Sequence, residues 1–185
     1  MSTPYDVVST YIFAKDGNRP FLVRRAFAED AELEMVVKTD AISFPSSAKG
    51  VSAIEEILVR RFGLDSENVY TFCLSRPSDA NRRHFPCHWL VGMSAKSTGQ
   101  LRIGCGRYDW YFGANKECHV ERLVVAIDVM VILPAVELAV SMNWLSSLPY
   151  PWCAPDQALK DMPANEGLAG ISDYLKQVRP LSPER

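Results

Sequence analysis

Between Asn68 and Leu133 the chain is almost unbroken strand. Asn68 to Leu74, Pro86 to Ala95, Gln100 to Phe112 and Val120 to Leu133 are rich in aromatic and β-branched residues, which fit a pleated, half-buried surface. The stretches between them, such as Lys96-Ser97-Thr98-Gly99 and Gly113-Ala114-Asn115-Lys116, read as turns too short for a helical crossover, so an antiparallel sheet is predicted.

Helices precede this sheet. Thr3 as cap, Pro4 at the first helical position and Asp6 in the first turn start one, with Val7, Val8, Tyr11, Ile12 and Ala14 as its apolar stripe. Asp16-Gly17-Asn18-Arg19-Pro20 breaks it, and a short second helix is expected over Phe21 to Phe27. Ala31 to Thr39 alternates as a strand, with Leu33, Met35 and Val37 on one face. A third helix follows Gly50: Ser52 and Glu55 have capping-box spacing, Ile54, Ile57, Leu58 and Phe62 form the stripe, Glu56 and Arg60 pair outside, and Gly63 closes it. Past the sheet, Pro134 opens a helix with Val136, Ala139, Val140 and Trp144 on one face. Leu148-Pro149-Tyr150-Pro151-Trp152-Cys153-Ala154-Pro155 is too proline-rich for helix or central strand and reads as an extended arm, followed by a weak helix over Asn165 to Val178. The expectation is an α+β domain over residues 1–148 and a C-terminal Pro/Trp-rich arm with a weak helix over 149–185.

With 20 Lys+Arg against 22 Asp+Glu, the net charge of −2 argues against a phosphate-reading surface, and Arg24-Arg25, Arg60-Arg61 and Arg82-Arg83 are scattered pairs; no nucleic-acid partner is expected. The longest apolar run, Leu123 to Pro134, is interrupted by Asp128 and falls short of a membrane span, and the N-terminus lacks the pattern of a signal peptide, so no membrane partner and a cytoplasmic location are expected. Cys73, Cys87, Cys105, Cys118 and Cys153 have no Cys-x-x-Cys spacing, so reduced thiols are expected, with neither disulfide framework nor zinc site. His84 and His88, four apart on a strand, would sit ~13 Å from each other, too far for one ion. No metal and no cofactor are expected.

Two segments carry a family likeness. Phe27-Ala28-Glu29-Asp30-Ala31-Glu32-Leu33-Glu34 and Gly50-Val51-Ser52-Ala53-Ile54 resemble the signature of the nuclear transport factor 2-like superfamily, which includes ketosteroid isomerases and SnoaL-like polyketide cyclases. The resemblance covers roughly the first two-thirds of the chain by motif and order, with the arm after Leu148 outside it. It implies a cystatin-like cone in which a curved sheet wraps around N-terminal helices to leave a pocket, and a homodimer through the outer sheet face. Tyr11 stands sixteen residues before Phe27, as the isomerase tyrosine stands before its phenylalanine. The isomerase proton-shuttle carboxylate is replaced by Met35, a thioether that moves no proton. Tyr108-x-Trp110-x-Phe112 falls where the isomerase has Asp-x-Phe-x-Phe, so Tyr108 takes the place of the protonated aspartate of its oxyanion hole.

The pocket is therefore expected to be mainly apolar, lined by Tyr11, Met35, Cys87, Trp89, Tyr108 and Trp110, and to take a small apolar or aromatic carbonyl compound. Any base must come from elsewhere: His88, Asp30, Asp109 or Asp128. Strand parity governs His88. A four-residue turn at Lys96 to Gly99 sets Trp89 opposite Gly106 and Val91 opposite Gly104, turning Cys87 and Trp89 inward and His88 out; a slip of one residue reverses this. Asp30 more often bonds local backbone, Asp109 should point away from the cavity and either pair with Arg107 or line a subunit interface, and Asp128 must be paired, exposed at a sheet face or shifted upward in pKa. Cys105, between Gly104 and Gly106, lacks the histidine and electropositive setting of a nucleophile. Two functions fit. One is a cofactor-independent isomerase, cyclase or dehydratase-like enzyme in which Tyr11 and Tyr108 stabilise an oxyanion and His88 or an aspartate moves the proton. The other is a non-catalytic small-molecule-binding or dimeric scaffold protein.

Overall fold

The computed structural model describes residues 2–77, 83–114 and 118–179. Arg82 of the last arginine pair, and Asn115 and Lys116 of the second turn, lie outside the described residues.

Helix α1 (Pro4–Asp16) begins as its sequence dictates: Thr3 Oγ1 accepts the Asp6 amide at 3.2 Å, and the Asp6 carboxylate accepts the Thr3 amide at 2.9 Å. Its stripe from Val7 to Ala14 is buried. The expected second helix divides into a 3₁₀ turn, Pro20–Leu22, and α2 (Val23–Ala26). Strand β1 (Phe27–Val37) starts earlier than its alternation suggests and carries Leu33 and Met35 inward. It pairs with a three-residue strand, β2 (Ser47–Lys49), that no periodicity announces.

The third helix is a single rod, α3 (Val51–Glu55), a π-helical stretch Glu56–Arg61 and α4 (Phe62–Asp65). The expected capping box does not form. Gly50, at φ 87°, is the residue outside the helix, and Glu55 instead holds Arg60 at 2.6 Å while Ser52 Oγ accepts from Arg24 at 2.9 Å. The π stretch shifts the ion pairs from the expected four-residue spacing to five, Glu55–Arg60 and Glu56–Arg61. Gly63 does not close the helix. It admits Asn18, whose Cγ would lie 2.7 Å from a Cβ placed there.

Strands β3 (Ser66–Cys73), β4 (His84–Ala95), β5 (Leu101–Phe112) and β6 (Val120–Leu133) complete a six-stranded sheet of order β2-β1-β6-β5-β4-β3. The pairs β1–β2, β3–β4, β4–β5 and β5–β6 are antiparallel, while β2 and β3, joined by the third helix, form the two edges of the sheet. β1 and β6, which are not consecutive, run parallel. The β4–β5 register is the one a four-residue turn implies, with Trp89 opposite Gly106 and Val91 opposite Gly104. Gly106 is needed there: a Cβ would run into the Ala126 carbonyl and lie 2.5 Å from Trp89 Cζ2. Opposite the Cys105–Gly106 step, Asp128 is an extra residue, a β-bulge that turns its carboxylate away from the cone.

The outer face carries a second apolar layer. Phe72, Leu90, Leu101, Ile103, Cys105 and Leu133 pack under α5 (Leu138–Ser147), α6 (Pro155–Lys160) and α7 (Ala169–Gln177). Helix α5 buries Ser141, Trp144 and Leu145, whereas Val136 and Val140, expected on its core face, are exposed. A 3₁₀ turn at Ala135–Glu137 delays the helix to Leu138 and rotates the stripe. The Pro/Trp arm returns to the cone. Trp152 bridges Cys73 in parallel, stacks on Tyr5 at 4.8 Å and donates from Nε1 to Ser9 Oγ at 3.1 Å. The chain's own helices thus cover part of the face through which a homodimer was expected. No helix among the described residues is long and apolar enough to cross a membrane.

Candidate functional site

The inner face of the sheet, α1 and the π-helical rod enclose a cavity of about 50 Å³. That is room for a water or two, well below the ~300 Å³ at which ligand pockets begin. Its walls are Met35, Trp89, Val91, Met93, Val125 and Met130 with their neighbours, and its polar groups are few: the Tyr11 and Tyr108 hydroxyls and the Lys15 ammonium. Ile42 and Phe44, on the loop between β1 and β2, line it together with Phe62. The same three residues border an outer groove of about 520 Å³ edged by Arg61 and Arg102.

Tyr11 and Tyr108 meet edge to face, ring centres 6.2 Å apart, and Trp110 closes the cluster at 5.2 Å from each. Burial pushes the Tyr11 phenol well above its ordinary value, with the Asp16 charge adding to it. Burial does the same to Tyr108, and Tyr11 adds to it. Both are therefore neutral donors at physiological pH. Trp89 and Trp110 each bury an indole N–H that no described residue accepts. Lys15 reaches this apolar wall because Asp16 holds it at 2.9 Å and the Phe62 ring lies 4.5 Å beneath the ammonium. Asp16 is nearly inaccessible and also accepts from the Thr71 amide (2.6 Å), Thr71 Oγ1 (2.8 Å) and Tyr150 (3.0 Å).

No protein-family model matches the sequence, and no curated protein is significantly similar to it. Solved structures do match. A nuclear transport factor 2-like superfamily protein from Salmonella enterica superposes with a TM-score of 0.55 at 14% identity, covering 68% of this chain and 88% of that one. The fold is that of the nuclear transport factor 2-like proteins. A hexachlorocyclohexane dehydrochlorinase of type 3 from Novosphingobium barchaimii is similar, with a TM-score of 0.53 at 13% identity over 69% of this chain and 86% of its own. A type 2 dehydrochlorinase gives 0.54 at 12%, over 69% and 84%.

Within this nuclear transport factor 2-like cone, the predicted site residues divide. Tyr11, Met35, Trp89 and Tyr108 line the cavity. Cys87 and Trp110 point inward but are packed behind it, where burial raises the Cys87 thiol well above its usual range. His88 does not reach the cavity. The observed register sends it to the outer face, where its Nδ1 lies 2.8 Å from Tyr174 Oη, so the role of proton carrier in the cone is withdrawn. Of the carboxylates, Asp30 is exposed. Asp109 pairs with Arg107 at 2.9 Å and faces His84 at 3.3 Å, and Asp128 holds Lys38 at 2.6 Å, both outside the cone. Cys105 lies in the outer apolar layer with its thiol pushed up by burial, which is no setting for a nucleophile. Among the described residues, no three His, Cys, Asp or Glu side chains gather as metal ligands would.

Lys15 is the site residue that pattern reading missed. Its signal was present, four positions after Tyr11 and therefore on the same helical face. A lysine beside a helix-ending Asp-Gly nevertheless reads as solvated until the partner from β3 is known.

Proposed function

We propose that the cone binds a small, largely apolar molecule bearing one oxygen acceptor, and that it does so as a binding protein rather than as a proton-transfer catalyst. One observation carries this reading: the cavity wall includes two neutral phenols and an ammonium tied to Asp16, and among the described residues it includes no carboxylate or imidazole. Abstraction of a carbon-bound proton needs a base whose pKa lies near the working pH, and Met35 stands where the resembling isomerases keep theirs. The Tyr11 and Tyr108 hydroxyls would supply donors to the ligand oxygen, and Met35, Met93 and Met130, unbranched and adaptable, would repack around its body. Entry requires Phe44 and Ile42 to swing from the mouth.

The competing reading is an elimination or isomerisation enzyme, in line with the dehydrochlorinases that share the fold. Its specific support is the Tyr11–Tyr108 pair, a suitable oxyanion clamp. Acetophenone separates the two. Binding is followed by tryptophan fluorescence against toluene as the oxygen-free control, and exchange of the acetophenone methyl protons into deuterated water is followed by NMR. The binding reading expects acetophenone to be favoured, Tyr11→Phe and Tyr108→Phe each to weaken it by ~5-fold while toluene is unaffected, and no acceleration of exchange. Equal binding of the two probes removes the role of the hydroxyls, and accelerated exchange transfers the case to the enzyme.

A further inference from the structure

His88, which the cone does not use, belongs to a hydrogen-bonded chain on the other side of the sheet. Tyr174 Oη, on α7, lies 2.8 Å from His88 Nδ1, 3.0 Å from the Gly106 carbonyl and 3.2 Å from Asp128 Oδ2. The carbonyl and the carboxylate can only accept, and the phenol has a single proton to give. Burial, with the Asp128 charge beside it, raises the phenol's pKa, so Oη keeps that proton and directs it to one of those two acceptors. The bond to histidine must then run the other way, from Nδ1–H to Oη. Burial and the nearby Arg107 charge also hold the imidazole pKa below its ordinary value, despite the opposing charges of Asp128 and Asp109. With that bonding pattern a neutral ring carries its proton on Nδ1 and keeps a lone pair on Nε2.

His88 forms part of the wall of a cleft of about 280 Å³ between the end of β3, α6 and the end of α7. Lys176 and Arg179 border the cleft, as do Ser75 and Asp156. Arg179 spends Nη1 on the Lys176 and Val178 carbonyls, which leaves further N–H groups of the guanidinium available. Among the described residues, the one ion pair of Lys176 is a long, exposed contact with Asp173, 3.9 Å. Two cations beside an imidazole lone pair complement an anion that is itself a hydrogen-bond donor.

We propose that this cleft is a second binding site, separate from the cone, for inorganic phosphate, both of whose forms at neutral pH keep a P–OH. Its P–OH donates to His88 Nε2 and its charged oxygens lie on Lys176 and Arg179. Sulfate, of similar size and charge but without a proton at neutral pH, is the discriminating probe.

The full chain, labelled with ¹⁵N, is titrated at neutral pH and constant ionic strength with inorganic phosphate, phenyl phosphate and sodium sulfate, while long-range ¹H–¹⁵N spectra follow the His88 ring. The expected results are an Nδ1–H tautomer before any addition, and saturable shifts of His88 and Lys176 with phosphate. Sulfate should bind ~10-fold more weakly, about one hydrogen bond's worth. Phenyl phosphate, largely a dianion without a P–OH at neutral pH, should bind about as weakly as sulfate, and binding equal to that of phosphate overturns the P–OH contact. Lys176→Met, at an exposed position, should weaken phosphate binding by ~10-fold without altering the tautomer. An Nε2–H tautomer, sulfate equal to phosphate in the unaltered chain, or no saturable shift overturns the proposal.

Discussion

The strongest test of the cavity wall is to remove Asp16. Its carboxylate is almost fully buried and accepts four contacts, from Lys15, the Thr71 amide, the Thr71 hydroxyl and Tyr150, which together tie α1 to β3 and to the C-terminal arm. Asp16→Ala leaves a buried ammonium and a buried Thr71 amide without their acceptor. Tyr150 is partly exposed and can turn to water. Breaking a buried ion pair from one side costs on the order of 3–5 kcal/mol, and the solvent available to Tyr150 places the expectation near 4 kcal/mol. In a chain of this length that lowers Tm by roughly 10 °C. Removing the ammonium as well should recover much of the loss, because the residual penalty is that of neutral groups. Lys15→Met/Asp16→Ala is therefore expected to be at least about 2 kcal/mol more stable than Asp16→Ala alone. Urea unfolding followed by tryptophan fluorescence measures both. A loss under about 1 kcal/mol for the single change, or no recovery in the double, would refute the view that Asp16 holds the ammonium in the wall.

Other expectations concern packing, access and pH. Gly106→Ala should destabilise by about 3 kcal/mol or abolish folding, because the added carbon runs into the Ala126 carbonyl as well as the Trp89 ring; Gly104→Ala, where the nearest atoms belong to the flexible Met130 side chain and the Val129 carbonyl lies at 2.9 Å, should cost less in the same thermal melts. Phe44→Ala should speed acetophenone association in stopped-flow fluorescence by opening the mouth; an unchanged rate would mean that the β1–β2 loop is not the gate. Since the folded pKa of His88 is depressed, its neutral form contributes stability that is complete above the unfolded value of ~6.5 and is lost as pH falls from there through the folded pKa. Urea denaturation across that window should show the slope in the unaltered protein and not in His88→Gln.

Much of the architecture could be read in advance because local chemistry dictated it. The Thr3–Asp6 cap, the stripe on α1 and the turn at Lys96 to Gly99 each depend on a few adjacent residues, and the turn alone fixed which side chains of β4 face the cone. Features that depend on distant partners could not be read. β2 exists because β1 offers an edge, α5 is rotated by its preceding turn, and the alternation of β4 to β6 is blurred because helices cover the outer face as well. The same limit applied to the site. Tyr11, Met35, Trp89 and Tyr108 were legible from parity and likeness, whereas Lys15 looked solvated without Asp16's anchoring to Thr71, and His88 and Asp128 found their partner in Tyr174, almost at the end of the described chain.

The pairing of Cys73 with Trp152 has a consequence for self-association. A long sheet margin with free amides and carbonyls invites copies of the same chain to add on, strand by strand. Here the Cys73 amide donates to Pro151 and its carbonyl accepts from Cys153, so the arm hems that margin, while the opposite border is a three-residue strand ending in Lys49. A chain cut before Pro149 would lose the hem and should form thioflavin-positive fibrils under conditions that leave the intact chain clear.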